Sequence, residues 1–414
     1  MKRLLSALLA AVTLVSPAIF ADNGPARRAG ALVSTFADDN PTRRDCDKNH
    51  YILHFHRCEP PPLGWTQASP LLTNHGSHTA TLLVDGRVLI AGATGAPATA
   101  ETYEPGTDTW TLTAPMVKER QGHTATRLDD GRVLVVGGEI GQSAMDWFPY
   151  EGTAEIFDPE TNRWADTGSL ATKRGGFTAT LLPTGEVLVV GGYDGGDNSL
   201  ASAELYDPVA GRWRAAASMQ QPRFWHTATA LPDGNVLIVG GWADDWMQTQ
   251  VAAAEIYDWK SGSWTDAGAI EARAAHSATL LDNGTVLVAG GYSRIAPPPP
   301  GGWFSFFTLD SATVFDPARR QWHDVADLGT ARFGHLAAPL RGGGALIVQG
   351  TLSYDQVPNI KYRDVQEALT YSETDFNWVD IGVPPVETAA TSVTRMGDGT
   401  LLFVGEQRAV LYRY

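Results

Sequence analysis

Cysteine is almost missing from this chain: Cys46 and Cys58 are the only two in 414 residues, which excludes a scaffold held together by many disulfides. Charge is scarce as well. Asp, Glu, Lys and Arg together make up 19% of the sequence, too little for a disordered, solvating chain. The balance is acidic, with 31 Lys+Arg against 46 Asp+Glu and a net charge of −15. Such a surface repels nucleic acid and anionic lipid at long range, so neither is an expected partner. Long apolar runs are also lacking. The stretch Leu4 to Val15 covers 12 residues, short of the roughly 20 that span a bilayer, and no later segment approaches it, so no membrane insertion is expected. What the chain has in quantity is Gly (43) and Trp (13), the composition of a tightly turned, aromatic-rich fold rather than a helical one.

Residues 1–21 open with Lys2 and Arg3, continue through the apolar run and end in Ser16-Pro17-Ala18-Ile19-Phe20-Ala21. This pattern reads as a cleaved secretory signal and predicts a soluble protein, secreted or periplasmic after cleavage; a monomer is expected. No Cys follows the cleavage point to carry a lipid. Residues 22–61 then form an N-terminal segment that contains both cysteines. In an oxidising compartment Cys46 and Cys58 predict a disulfide closing an 11-residue loop. His50, His54 and His56 inside that loop leave a Cys/His metal site as the alternative. The spacing fits no closed zinc pattern, so no metal and no cofactor are predicted.

The rest of the chain repeats. A segment typified by His123-Thr-Ala-Thr recurs with its first residue at His78, His123, Phe177, His226, His276, His335 and Thr391. Eight residues on stands Gly86, Gly131, Gly185, Gly234, Gly284, Gly343 or Gly399, usually behind Asp or Asn. That dipeptide predicts a two-residue type I′ hairpin turn, in which both central residues take φ > 0. Apolar runs such as Val133-Leu-Val-Val136 follow, closed by Gly138, Gly192, Gly241 or Gly291, and read as strands buried on both faces. Next comes Ala-x-x-Tyr/Phe, as in Ala203/Tyr206, and seven residues later a Trp: Trp110, Trp164, Trp213, Trp264, Trp322 and Trp378. Each repeat is therefore four strands, A to D. The seventh copy has no such Trp, but Trp65 precedes His78 by the interval that separates the other tryptophans from their next strand A. The segment around Trp65 is predicted to supply the outer strand of the last repeat and close a ring of seven.

These features resemble the kelch repeat. The marks are the double glycines Gly137-Gly138, Gly191-Gly192, Gly240-Gly241 and Gly290-Gly291, the turns Phe157-Asp-Pro159, Tyr206-Asp-Pro208 and Phe315-Asp-Pro317, and the spaced tryptophans. The resemblance covers residues 62–414 and implies an all-β, seven-bladed β-propeller of four-stranded blades. Departures lie in the sixth and seventh copies, where Gln349-Gly350 and Gly405-Glu406 replace the double glycine and Tyr371-Ser-Glu replaces Tyr-Asp-Pro.

Nearly all length variation between copies falls in the loop joining strands B and C, on the same face as the D-to-A connections. Variable loops on a rigid scaffold are where binding concentrates. These loops carry Trp147, Tyr150, Tyr193, Trp242, Trp246 and Tyr354 beside carboxylates such as Asp194 and Asp244, a mixture that suits sugar rings. Three residues before strand A stand Arg120, Arg174, Arg223, Arg273 and Arg332. Placed in a propeller they form a ring near the mouth of the central channel, which points to an anionic target; internal pairing with Glu101, Glu155, Glu204 and Glu255 is the other reading. The strand-A histidines are expected to satisfy neighbouring backbone groups. The expected function is an extracytoplasmic binding module for an acidic glycan or an acidic protein segment, using the five arginines with Trp147, Tyr193, Trp242, Trp246 and Tyr354. The alternative is an enzyme on acidic sugars. Some periplasmic kelch-like proteins resemble sialic acid mutarotases, and other propellers are polysaccharide lyases, for which Arg223 with His226 or Tyr193 would serve. A copper radical oxidase similar to galactose oxidase needs a Tyr–Cys cross-link inside the propeller, whereas both cysteines here precede it.

Overall fold

Each repeat folds into one four-stranded antiparallel sheet. The computed structural model describes residues 63–92, 98–139, 150–196, 198–244, 249–295, 305–354, 361–384 and 390–414, together with the strand pair Ile52–His54 and Arg57–Glu59. The fourth blade shows the pattern: Thr227–Ala230, Val236–Val239, Ala253–Asp258 and Ser263–Ala269 lie side by side in chain order. Strand A of each blade packs against strand A of the next, and the seventh packs against the first, so the A strands surround a central axis and the D strands form the rim. Strand B is sandwiched between neighbouring blades, which is why Val133–Val136 is apolar at every position and buried throughout. Leu134 and Val136 of the second blade, for example, share one core with Phe177, Val187 and Val189 of the third.

Closure follows the predicted route. Gly64–Gln67 pairs with Ala409–Arg413, with Trp65 opposite Tyr412, and completes the seventh blade. Their rings lie 4.5 Å apart, close to the 5.0 Å of Tyr206 and Trp213 within the third blade. Elsewhere the indole N–H also ties one blade to the one before: Trp110 donates to Ser69 O at 2.8 Å, Trp213 to Gly168 O at 2.7 Å and Trp264 to Ala217 O at 2.7 Å. At the seam Trp65 Nε1 is buried with no partner among the described residues.

The A–B turns differ from the expectation. In the first blade only Gly86, at φ 92°, takes the left-handed region, and its N–H donates to Leu83 O at 3.1 Å. A type I′ turn would need Asp85 there too. Instead Asp85 keeps an ordinary φ while its Oδ1 accepts the Arg87 N–H at 3.1 Å. The result is a three-residue loop in which a single glycine supplies the unusual conformation. Among the described residues no helix is long and apolar enough to cross a membrane.

Candidate functional site

The B–C loops and D–A connections share one face, and beneath it the blades are stapled by buried ion pairs. Arg223 Nη2 lies 2.6 Å from Glu255 Oε1, with 0% and 3% of the two side chains exposed. Its Nη1 donates to the carbonyls of Gly240 and Ala253, and Glu255 accepts the N–H groups of Gln220 and Gln221. One pair thus holds the D–A connection against the end of strand B and the start of strand C. Arg120 with Glu155 and Arg174 with Glu204 repeat it, each at 2.8 Å. In the fifth and sixth blades Thr313 and Leu369 stand where the glutamate would be, and Arg273 and Arg332 turn to Glu271 (3.3 Å) and Glu367 (3.1 Å). The first blade places His75 where the others have Arg and pairs it with Glu101. The expected open ring of guanidinium groups is therefore corrected: all five are interior and their charge is met by the protein's own carboxylates, because an uncompensated buried cation would be strongly destabilising.

The strand-A histidines form a second internal ring. His123, His226, His276 and His335 set Nε2 against the strand-A hydroxyl of the preceding blade, namely Thr79 (2.9 Å), Thr178 (3.0 Å), Thr227 (2.9 Å) and Ser277 (2.8 Å). His78 reaches Ser392 across the seam at 2.7 Å. The Nε2 partners are side-chain hydroxyls, and His78 Nδ1 also meets the backbone carbonyl of His75, a group of the kind expected. Burial drives His123, His226 and His335 down to about 3 and His78 to about 4, so these imidazoles are neutral near pH 7. The pairing explains its own gaps. Phe177 replaces histidine in the third blade, and the Thr124 hydroxyl that would have received it is buried without a partner among the described residues. The seventh blade has Thr391, and the sixth correspondingly offers Leu336 instead of a hydroxyl.

On the loop side of these rings lies a collar. After strand B the chain passes through two left-handed residues, such as Gly240 (φ 65°) and Gly241 (φ 95°). A Cβ on Gly241 would sit 2.7 Å from Phe224 O, so only glycine permits this approach. The residue that follows then bridges back to the one after the clamp arginine: Glu139 to Gln121, Tyr193 to Gly175, Trp242 to Phe224, Tyr292 to Ala274 and Thr351 to Phe333. In the sixth blade Gln349 adopts the left-handed conformation (φ 61°) without being glycine. Ring contacts run along the collar, from Tyr150 to Tyr193 (5.9 Å), Tyr193 to Phe224 (5.7 Å) and Phe224 to Trp225 (5.1 Å), then from Trp242 to Tyr292 (5.7 Å) and Tyr292 to Phe333 (5.1 Å).

Two members of this collar depart from their neighbours. In the first six blades the residue before the strand-A histidine slot is left-handed, and in five of them it is small: Ser77, Gly122, Gly176, Ala275 and Gly334. In the fourth blade it is Trp225, at φ 53°. A non-glycine residue in this region is disfavoured by about 1–2 kcal/mol. Its N–H donates to Gly176 O at 2.9 Å, and its indole covers Gly176 so closely that a Cβ there would lie 2.9 Å from Trp225 Cδ1. Trp225 stays partly exposed. The second departure is Glu139, a carboxylic acid in a slot that the third, fourth and fifth blades fill with an aromatic ring. It is 7% exposed, and the Gln121 amide, 3.5 Å away, is the one side-chain partner found for it among the described residues. Burial pushes its carboxyl up to about 7. Burial, and then the Glu139 charge, raise the Tyr150 phenol above its usual range.

The remaining sequence-based candidates separate clearly. Trp242 has no exposed surface and donates its indole N–H to Tyr292 OH at 3.3 Å, so it braces the collar instead of facing a ligand. Tyr193 is 7% exposed in the same cluster. Trp147, Trp246 and Cys46 lie outside the described residues, as does the Met1–Ala21 segment. Tyr354 is placed as the end of strand Thr351–Tyr354, and Cys58 within Arg57–Glu59, opposite Leu53. Among the described residues no group of three His, Cys, Asp or Glu is placed to hold a metal ion. Sequence reasoning missed Gln121, Glu139 and Trp225. The signal was available: superposing the copies slot by slot shows one tryptophan among small residues and one acid among aromatics.

Residues 122–351 match the family model described as the KLHDC2/KLHL20/DRC7 Kelch-repeats domain. No curated protein matches the chain significantly. Among solved structures the chain is similar to the structure of YjhT, with a TM-score of 0.57 and 14% identity over 76% of this chain and 99% of that one. It is also similar to a novel fungal alcohol oxidase with catalytic diversity among the AA5 family, in complex with copper, with a TM-score of 0.63 and 16% identity over 85% of this chain and 76% of that one. At such identities the likeness is one of fold.

Proposed function

Because the chain belongs to the kelch-repeat family, we propose that it is a ligand-binding propeller that receives a saccharide at the mouth of its channel, on the face of the B–C loops and D–A connections. The observation that carries this reading is Trp225. A partly exposed indole is held rigidly in a disfavoured backbone conformation at a slot where other blades keep small residues. The conformation itself recurs at Ser77 and Ala275, so what sets the fourth blade apart is the large indole that it holds in place. A fixed indole face is a stacking surface for the C–H face of a sugar, and farther along the same collar the Gln121 amide, Glu139 carboxyl and Tyr150 phenol offer partners for hydroxyls. The acidic ligand expected from the arginines has lost its support, since their charge is neutralised internally. A neutral or basic saccharide fits the rim better. Titration calorimetry with neutral, amino and acidic saccharides, on the native protein and Trp225→Gly, tests this. Saturable binding of a saccharide that the variant loses is the expected result; binding of acidic peptides alone, or of no saccharide, overturns it.

Glu139 favours a second reading, an enzyme of the mutarotase or epimerase kind, because a carboxyl titrating near neutral pH both gives and takes protons there. A lyase is less well supported, as it calls for a free arginine to neutralise a uronate. Faster interconversion of sugar anomers in the presence of the protein, followed by proton NMR, distinguishes catalysis from binding. The proposal further includes export and a Cys46–Cys58 bridge. Intact mass of the exported protein checks both, through loss of residues 1–21 and a deficit of two hydrogens.

A further inference from the structure

Glu139 lacks a counter-charge. Arg120, its neighbour across the blade, is spent on Glu155 at 2.8 Å, and Lys118 reaches Glu151 at 3.6 Å. His123, which packs beside Gly138, is neutral and bonded to Thr79. Gln121 presents an uncharged amide, and Tyr150 and Tyr193 present phenols. On the third-blade connection packed against Gly137 and Gly152, Arg174 pairs with Glu204 at 2.8 Å and the exposed Lys173 acts on Asp194, so among the described residues no cation is paired with this carboxyl. A buried acid without a partner is a standing cost to the fold, and such groups concentrate where a ligand supplies what is missing.

We infer that Glu139 sorts saccharides by charge at this site, favouring an amino sugar over a neutral one and a neutral one over a uronic acid. The inference rests on the saccharide reading above and adds the selecting residue to it. An ammonium group on the ligand supplies the absent counter-charge and forms a charge-assisted hydrogen bond to the carboxylate. A hydroxyl donates to the same oxygen without charge. A uronate brings a second anion to the carboxyl and is accepted only while Glu139 holds its proton. Affinity for a uronate therefore falls as the pH rises through neutrality, while affinity for an uncharged sugar stays level.

The experiment uses the full chain and three probes: glucosamine at pH 6.5, where its amine is charged, and N-acetylglucosamine and glucuronate between pH 5.5 and 8.0. In the native protein glucuronate is expected to weaken relative to N-acetylglucosamine by roughly tenfold across that range, about one pKa unit of interaction between two charges. Glucosamine is expected to bind most tightly of the three at pH 6.5. Glu139→Gln should flatten the glucuronate profile, whatever it does to the overall affinity for N-acetylglucosamine. If the sugars bind but the native profile is already flat, or the slope survives in Glu139→Gln, the inference is overturned and the saccharide reading stands. If none of the three binds, the saccharide reading falls and takes the inference with it. The native profile alone decides the point should the variant fail to fold.

Discussion

The Nε2 of His75 lies 2.7 Å from Oε1 of Glu101, and neither side chain has any exposed surface. In the first blade this pair replaces the arginine–glutamate clamp, with His75 Nδ1 set 2.7 Å from Gly92 O as an arginine Nη1 is set against the equivalent carbonyl elsewhere. His75→Ala takes one donor from Glu101, which keeps those of Leu72 and Thr73, and should lower unfolding stability by about 1–3 kcal/mol. His75→Arg restores the group found in five other blades and should stay folded with a similar urea midpoint. Equal losses in both variants would show that the slot demands imidazole shape rather than a donor to Glu101.

Acid should loosen the whole ring. His78, His123, His226, His276 and His335 all titrate below their ordinary value of 6.5 because burial disfavours their charged form. Below that pH the unfolded chain binds more protons than the folded one, so the stability they contribute is complete above 6.5 and is lost as the pH falls toward 4 and 3. Each histidine adds up to about 1.4 kcal/mol per pH unit to the slope. Urea midpoints at pH 7.5, 6.0 and 5.0 should drop steeply, and a flat response would contradict neutral imidazoles at the blade interfaces.

Glu139 works in the opposite direction. Its carboxyl is raised from 4.5 to about 7, so the folded state holds this proton more tightly and the associated stability is lost as the pH rises through 7. Glu139→Gln should then exceed the native protein in stability at pH 8, by on the order of 2 kcal/mol, and match it near pH 4.5. Thermal unfolding at the two pH values gives the comparison. A variant weaker than the native protein at pH 8 would place the carboxylate in an ion pair instead.

Thr124 of the second blade and Thr227 of the fourth occupy the same slot. Thr227 bonds His276 at 2.9 Å, whereas Thr124, with Phe177 in the histidine slot of the next blade, has no partner among the described residues. Thr227→Val should cost about 1–3 kcal/mol, by stranding a buried imidazole nitrogen. Thr124→Val removes an orphan hydroxyl and should cost nothing or stabilise slightly. Similar losses at both positions in urea denaturation would show that packing volume, not the hydroxyl, sets the effect.

Much of this architecture was legible because a propeller repeats its instructions. The intervals from His123 to Gly131 and from Phe157 to Trp164 recur through the chain, and the displaced Trp65 located the strand that closes the ring. Roles that depend on a neighbouring blade were harder to read. Arg223 looks like a ligand group until Glu255 is seen beside it, and Trp242 looks like a platform until Tyr292 covers it. Both outcomes are set across interfaces that no local pattern records. The turn at Gly86 was misread for a smaller reason: Asp85 satisfies a backbone N–H through its own carboxylate and so needs no left-handed φ.

The seventh blade draws one strand from the beginning of the propeller and three from its end, so that Arg413 and Thr66, 347 residues apart, meet at 3.3 Å. Folding therefore has a last act that cannot be brought forward. Six blades can assemble as they emerge from synthesis, but Gly64–Gln67 must wait, unpaired, until Ala409–Arg413 exists. The slow step is the closing of a very long loop. Once it is made, no blade is terminal, and unfolding must tear a sheet open before any blade can peel away. The seam is thus a lock on the rate of unfolding as well as a contributor to its free energy, and the protein's endurance should be judged by how long it survives as much as by the temperature at which it melts.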